Sequence, residues 1–157
     1  MQDIHTIEPP NKCTLIPHDK PVDKFLALLR IIRSIHSDDR IILMVRCQGI
    51  AKKITTFLEY EGYKNKISQL FGRSDCIEKK KKEFKSGDLQ ILILSDLKFA
   101  SGINLEMATH VILFSKLSST YEKQIIGRAW RPGRVTKLKV IQLMYDQECE
   151  SRYSSYL

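Results

Sequence analysis

The sequence predicts an α/β domain of three layers, with helices over both faces of a mostly parallel central sheet. Two patterns predict it. Short runs are apolar at every position, as in Ile91, Leu92, Ile93 and Leu94, which is how a strand reads when both its faces are buried. Between such runs lie stretches of about 10 to 15 residues with apolar side chains at helical spacing. Composition agrees. A chain of 157 residues, 43% hydrophobic and 28% charged, suits one soluble globular domain with a core of its own.

Residues 1–18 carry three prolines (Pro9, Pro10 and Pro17) and no apolar period, and read as an irregular lead-in. Pro21, after Asp19 and Lys20, fits the first turn of a helix. Val22, Phe25, Leu26, Leu29, Ile32 and Ile35 then form its apolar stripe, which ends near Ser37–Asp39. A strand is expected over 41–46. A helix over 50–60 follows, with Ile50, Ile54, Phe57 and Leu58 inward and a stop at Gly62. A weaker strand over 66–70 leads to a charged helix over 75–85, whose apolar contacts are Ile77 and Phe84. Strands are expected over 89–95, 109–114 and 138–144, with one more helix between the last two. Residues 147–157 form a tail. In such a sheet the crossovers are right-handed and ligands gather outside the carboxyl ends of the strands, where Ser95, Asp96 and the loop up to Leu105 belong.

The net charge of +8 favours a polyanionic partner, of which nucleic acid is the commonest. The run Lys79–Lys82 reads as the solvated face of its short helix. Cys13, Cys47, Cys76 and Cys149 form no C-x-x-C pair, and nothing completes a zinc set around Cys13 and His18. Reduced thiols and no metal held by this chain alone are therefore expected. No apolar run approaches the roughly 20 residues of a membrane helix, and nothing after Met1 reads as a secretory signal. The expectation is an intracellular protein that is not secreted and has no membrane partner.

The chemistry concentrates in the last predicted helix. Gln124, Arg128 and Arg131 fall at i, i+4 and i+7, so one stripe carries all three, with Gly127 beside it. Ile125, Ile126 and Ala129 turn the other way, toward a core. Pro132 and Gly133 stop the helix. Two permanently charged guanidiniums on a rigid element, next to a glycine that clears space, suit a phosphate at a protein seam.

Taken in order, residues 89–96, 101–105, 109–114 and 124–133 resemble the second RecA-like lobe of superfamily 2 helicases, the Swi/Snf-like branch in particular. Ser95 to Leu105 is similar to that family's motif V, and Gln124 to Arg131 to its motif VI. The resemblance covers roughly residues 38–146 and implies a helicase C-terminal RecA-like domain over 19–146. It implies that Arg128 and Arg131 are arginine fingers, with Gln124, Gly127, Gly102 and Asp96 lining the ATP cleft. It further implies nucleic-acid contacts from Ser95, Lys98 and Asn104, from Arg46 and Gln48 where motif IV belongs, and from Arg73 in a loop similar to the family's Leu-Asp-Gly-Ser. The chain departs from the pattern in three places, the first being that loop, where Phe71 stands for the acid and Arg73 is inserted. Asp96 stands for a threonine and Lys98-Phe99-Ala100 occupies a glycine region, while Arg131-Pro132-Gly133-Arg134 replaces Ile-Gly-Gln, a variant similar to helicases of large DNA viruses.

None of the seven glycines starts a G-x-x-x-x-G-K-[S/T] phosphate loop, and no Asp-Glu pair follows an apolar strand. The chain therefore holds at most one side of an ATPase site. The leading expectation is the second lobe of a nucleic-acid-dependent motor, binding ATP with Mg²⁺ only when a first RecA-like lobe is supplied in cis or in trans. Its nucleic acid is DNA ahead of RNA, touched along the backbone without sequence preference. Two alternatives stand beside it: a non-catalytic nucleic-acid-binding or helicase-docking module, and an unrelated α/β protein of flavodoxin type.

Overall fold

The computed structural model describes residues 12–16, 22–96, 98, 106–115, 117–129 and 137–145. Its elements are β1 (Lys12–Ile16), α1 (Val22–Ser34), β2 (Ile41–Met44), α2 (Gln48–Leu58), β3 (Ile67–Gln69), α3 (Ser74–Ser86), β4 (Ile91–Leu94), β5 (His110–Leu113), α4 (Ser119–Ala129) and β6 (Lys139–Tyr145). The strands form a single sheet in the order β1-β6-β5-β2-β4-β3, and all five pairings are parallel. The predicted three-layer α/β/α architecture is the observed one.

The apolar runs have no polar face because both faces of the sheet are covered. Successive residues alternate between two cores. Ile42, Met44, Leu92, Leu94, Val111 and Leu113 pack with Ile77 and Phe84 of α3 and with Ile125, Ile126 and Ala129 of α4. Ile41, Leu43, Ile91, Ile93 and Ile112 pack with Leu28, Leu29 and Ile32 of α1 and with Ala51, Ile54 and Leu58 of α2. That is the period of two of a pleated strand, and it assigns α1 and α2 to one face and α3 and α4 to the other.

The same assignment determines the hand. Connections through α1 and α2 step one way across the sheet; those through α3 and α4 step the other way. Opposite steps on opposite faces amount to one hand throughout, as the rule for parallel crossovers requires. The chain leaving β2 turns onto the α2 face, and the chain leaving its neighbour β5 turns onto the α4 face. Between these two carboxyl ends the winding reverses, and a crevice opens there.

Sequence and structure differ most in one strand and at the two ends of one helix. Residues 12–16, read as part of an irregular lead-in, form an edge strand held by parallel pairing with β6, from Lys12↔Ile141 to Ile16↔Tyr145. Two prolines nearby and two polar residues hid it, since an edge strand needs backbone pairing more than an apolar pattern. Helix α2 begins at Gln48, before the first apolar position, because extended Cys47 (φ −152°, ψ 162°) caps it and its carbonyl accepts from the Ala51 N–H at 3.1 Å. The expected stop at Gly62 comes after a wider turn over Glu59–Tyr63, where Gly62 takes φ +105°.

Candidate functional site

The carboxyl ends of β2, β3, β4 and β5 finish level. Beyond the ladders, Val45 N–H donates to the Leu94 carbonyl at 2.9 Å, Phe114 N–H to Met44 at 3.0 Å and Leu70 N–H to Ile93 at 2.9 Å. The next residues of each strand therefore share one edge: Arg46 to Gln48 after β2, Ser95 and Asp96 after β4, Phe71 to Arg73 after β3, and Ser115 after β5. Most sequence-predicted nucleic-acid contacts are brought together there. Arg46 and Gln48 are exposed, and Ser95 and Asp96 are half-buried. Gln48 opens α2, whose first turn holds no acidic residue and whose cap has no side-chain hydrogen bond. Amides so placed favour an anion.

Three side chains on this edge have defined partners. Lys98 donates its backbone N–H to Asp96 Oδ1 at 3.0 Å, and its ammonium lies 3.8 Å from Oδ2. The residue that departs from the motif V pattern thus closes a turn on itself. Arg73 Nε lies 3.5 Å from Asp75 Oδ1, on a guanidinium that is otherwise solvent-facing.

Helix α4 carries the second group. Its first turn is capped by the Ser118 hydroxyl, which accepts from the Tyr121 N–H at 3.2 Å. Ile125, Ile126 and Ala129 are buried, Gln124 and Gly127 are exposed, and Arg128 is half-buried in the last turn. The predicted division of this helix into an apolar and an arginine-bearing face holds for those six residues. A Cβ added at Gly127 meets nothing within 4 Å. Nine residues of helix carry Arg128 about 13 Å from Ser119, the end nearest the crevice. Arg131, Gly102 and Asn104 lie outside the described residues.

Sequence reasoning missed a set of buried polar groups. Glu122 is 6% exposed and Gln142 fully buried, with Gln142 Nε2 donating to the Ser115 carbonyl at 3.5 Å. Lys24 is also buried, its ammonium 5.1 Å from the centroid of the Phe114 ring. A signal existed for Glu122: residues 122, 125, 126 and 129 share one helical face, so its burial follows from that of its neighbours. Among the described residues no three His, Cys, Asp or Glu side chains are grouped to hold a metal, and Cys47 and Cys76 are exposed free thiols. No described helix is long and apolar enough to cross a membrane.

Known proteins share this fold. Residues 23–133 match the model of the helicase conserved C-terminal domain. The C-terminal part of the Fun30 ATPase domain superposes with a TM-score of 0.70 at 20% identity, over 84% of this chain and 44% of that one. The C-terminal domain of the DEAD-box protein Dbp5 gives 0.71 at 21% identity, over 92% and 82%. The C-terminal domain of the Sulfolobus solfataricus SWI2/SNF2 ATPase gives 0.59 at 20%, over 85% and 54%. A candidate helicase of Acanthamoeba polyphaga mimivirus is 42% identical over 66 residues, which are 42% of this chain and 8% of that protein. With the family model matched over most of its length and the fold shared, the chain belongs to the helicase conserved C-terminal domain family.

Proposed function

We propose that this chain is the second lobe of a nucleic-acid-dependent ATPase motor. It supplies cations to a phosphate site whose other half lies on a separate first lobe. The observation that carries this reading is the division of α4: Ile125, Ile126 and Ala129 anchor it in the core while Gln124, Gly127 and Arg128 remain on its outer side. A guanidinium on so well anchored a helix is pre-organised, and one presented across an interface is worth about 10³ to 10⁵ in rate. Arg128 and Arg131 take that role, with Gln124 and Gly127 shaping the seam, and the resemblance assigns Gly102 and Asp96 to the same ATP cleft.

ATP with Mg²⁺, bound between two lobes, would close the cleft between them, each lobe holding the same nucleic-acid backbone. In this reading Arg128 and Arg131 form one wall of that site, and the carboxylates that would hold magnesium stand on the first lobe. Arg46, Gln48, Arg73, Ser95, Lys98 and Asn104 hold the backbone of a nucleic acid, DNA in our reading, at the carboxyl edge. The exposed Arg46 and Arg73 give that contact its charge, and such contacts are insensitive to sequence.

The test pairs the chain with a phosphate-loop-bearing first lobe, fused or added separately, and measures nucleic-acid-stimulated ATP hydrolysis. The chain alone is expected to be silent, the pair active, and Arg128→Ala or Arg131→Ala to reduce the rate by about 10³-fold or more. Activity that survives both substitutions refutes the arginine assignment. A pair that stays silent while the chain still binds nucleic acid at low salt supports the non-catalytic module instead.

A further inference from the structure

Among the described residues three large apolar side chains are exposed: Leu26, Tyr60 and Phe71. Leu26 lies on α1, and Tyr60 lies beyond the end of α2 away from the crevice. Phe71 stands at the carboxyl edge itself, 45% exposed. It follows Leu70, which is fully buried and bonded to β4. Gly72 comes next at φ +109°, with open space where a Cβ would be, and then Arg73 with its side chain 86% exposed. The tip is held from both sides. Lys80 of α3 donates its ammonium to the Gln69 carbonyl at 2.8 Å, and the Ile77 N–H closes the first turn of α3 onto the Arg73 carbonyl at 3.0 Å. An exposed aromatic ring on an anchored backbone, two residues from an arginine, is the combination that binds a base and its phosphate in a single strand.

Position supports the same ligand. Strands lie about 4.8 Å apart, and β4 alone separates β3 from β2, so Phe71 and Arg46 stand about 10 Å apart along the edge with Ser95 and Asp96 between them. We propose that Phe71 is a stacking platform for one base of a single-stranded nucleic acid, with Arg73 taking the adjacent phosphate and Gly72 giving the tip its bend. This rests on the reading of the carboxyl edge as a nucleic-acid path. It adds a base-facing contact to an edge otherwise assigned to backbone.

The experiment uses the whole chain and a single-stranded oligonucleotide carrying 2-aminopurine, whose fluorescence is quenched by stacking. Phe71→Leu keeps apolar bulk and removes the ring. It is expected to lose the quench and to weaken affinity about tenfold with thermal stability unchanged, whereas Phe71→Trp keeps both. Arg73→Ala is expected to lower the slope of log affinity against log salt by about 0.7. If Phe71→Leu binds and quenches as the parent does while Arg46→Ala weakens binding, the path stands and the stacking proposal is overturned. If the parent chain binds no oligonucleotide at low salt, both are overturned.

Discussion

Gly127 is the residue at which the proposed seam between two lobes is most directly tested. A glycine in a helix costs about 1 kcal/mol relative to alanine, and among the described residues nothing would obstruct a Cβ there. Packing against the described residues therefore does not explain the glycine, which is exposed on the outer side of α4. We expect Gly127→Ala to leave the melting temperature of the isolated chain unchanged or higher, since helix propensity improves. In the two-lobe ATPase assay it is expected to cost about tenfold or more, the usual effect of overfilling a close contact. A variant as active as the parent would show that the seam lies elsewhere. The buried residues around Gly127 were legible from helical spacing. Lys24 was not: its sequence neighbours mark an apolar stripe, and only the folded chain brings Phe114 beneath its ammonium.

At the level of elements, the amino edge of the sheet depends on how a helix stops. Helix α3 ends at Gly87, whose φ is +95°, and a Cβ there would come within 3.0 Å of Arg40 Nη2. Gly87→Ala combines a left-handed backbone penalty with that contact and should destabilise the chain by about 1–2 kcal/mol. Chemical denaturation measures it; an unchanged midpoint would mean that Arg40 simply moves away and the backbone relaxes. The interior strands were legible because β2, β4 and β5 are apolar at every position. β1 was not, since its place depends on β6, more than a hundred residues later. Nor does any local pattern encode that β5 pairs with β2 in place of β4, the order that creates the crevice.

For the molecule as a whole, the two ends of the sheet do different work. Candidate ligand contacts gather at the carboxyl ends, while the amino ends of β2 and β5 are locked by a partly buried polar knot. Arg40 N–H donates to Thr109 Oγ1 at 3.1 Å, the Thr109 and His110 N–H groups both donate to the Arg40 carbonyl, and Thr109 Oγ1 lies 2.8 Å from His110 Nδ1. Burial lowers the pKa of His110 below its ordinary 6.5; Asp39 opposes the shift and Lys139 adds to it. Above pH 6.5 the imidazole is neutral in both folded and unfolded chains and contributes no pH dependence. As pH falls through 6.5 the unfolded chain takes up the proton first, so stability is lost from there down to the lower folded pKa. The loss is bounded by about 1.4 kcal/mol per pH unit. A domain of this size unfolds as one unit, so the effect should appear in its global melting temperature. We expect the parent to lose more stability than His110→Gln on going from pH 7 to pH 5, with the difference confined to the region below pH 6.5. Parallel curves for the two proteins would show that His110 protonates as freely in the folded chain as in the unfolded one, and that the knot does not exclude the charged ring.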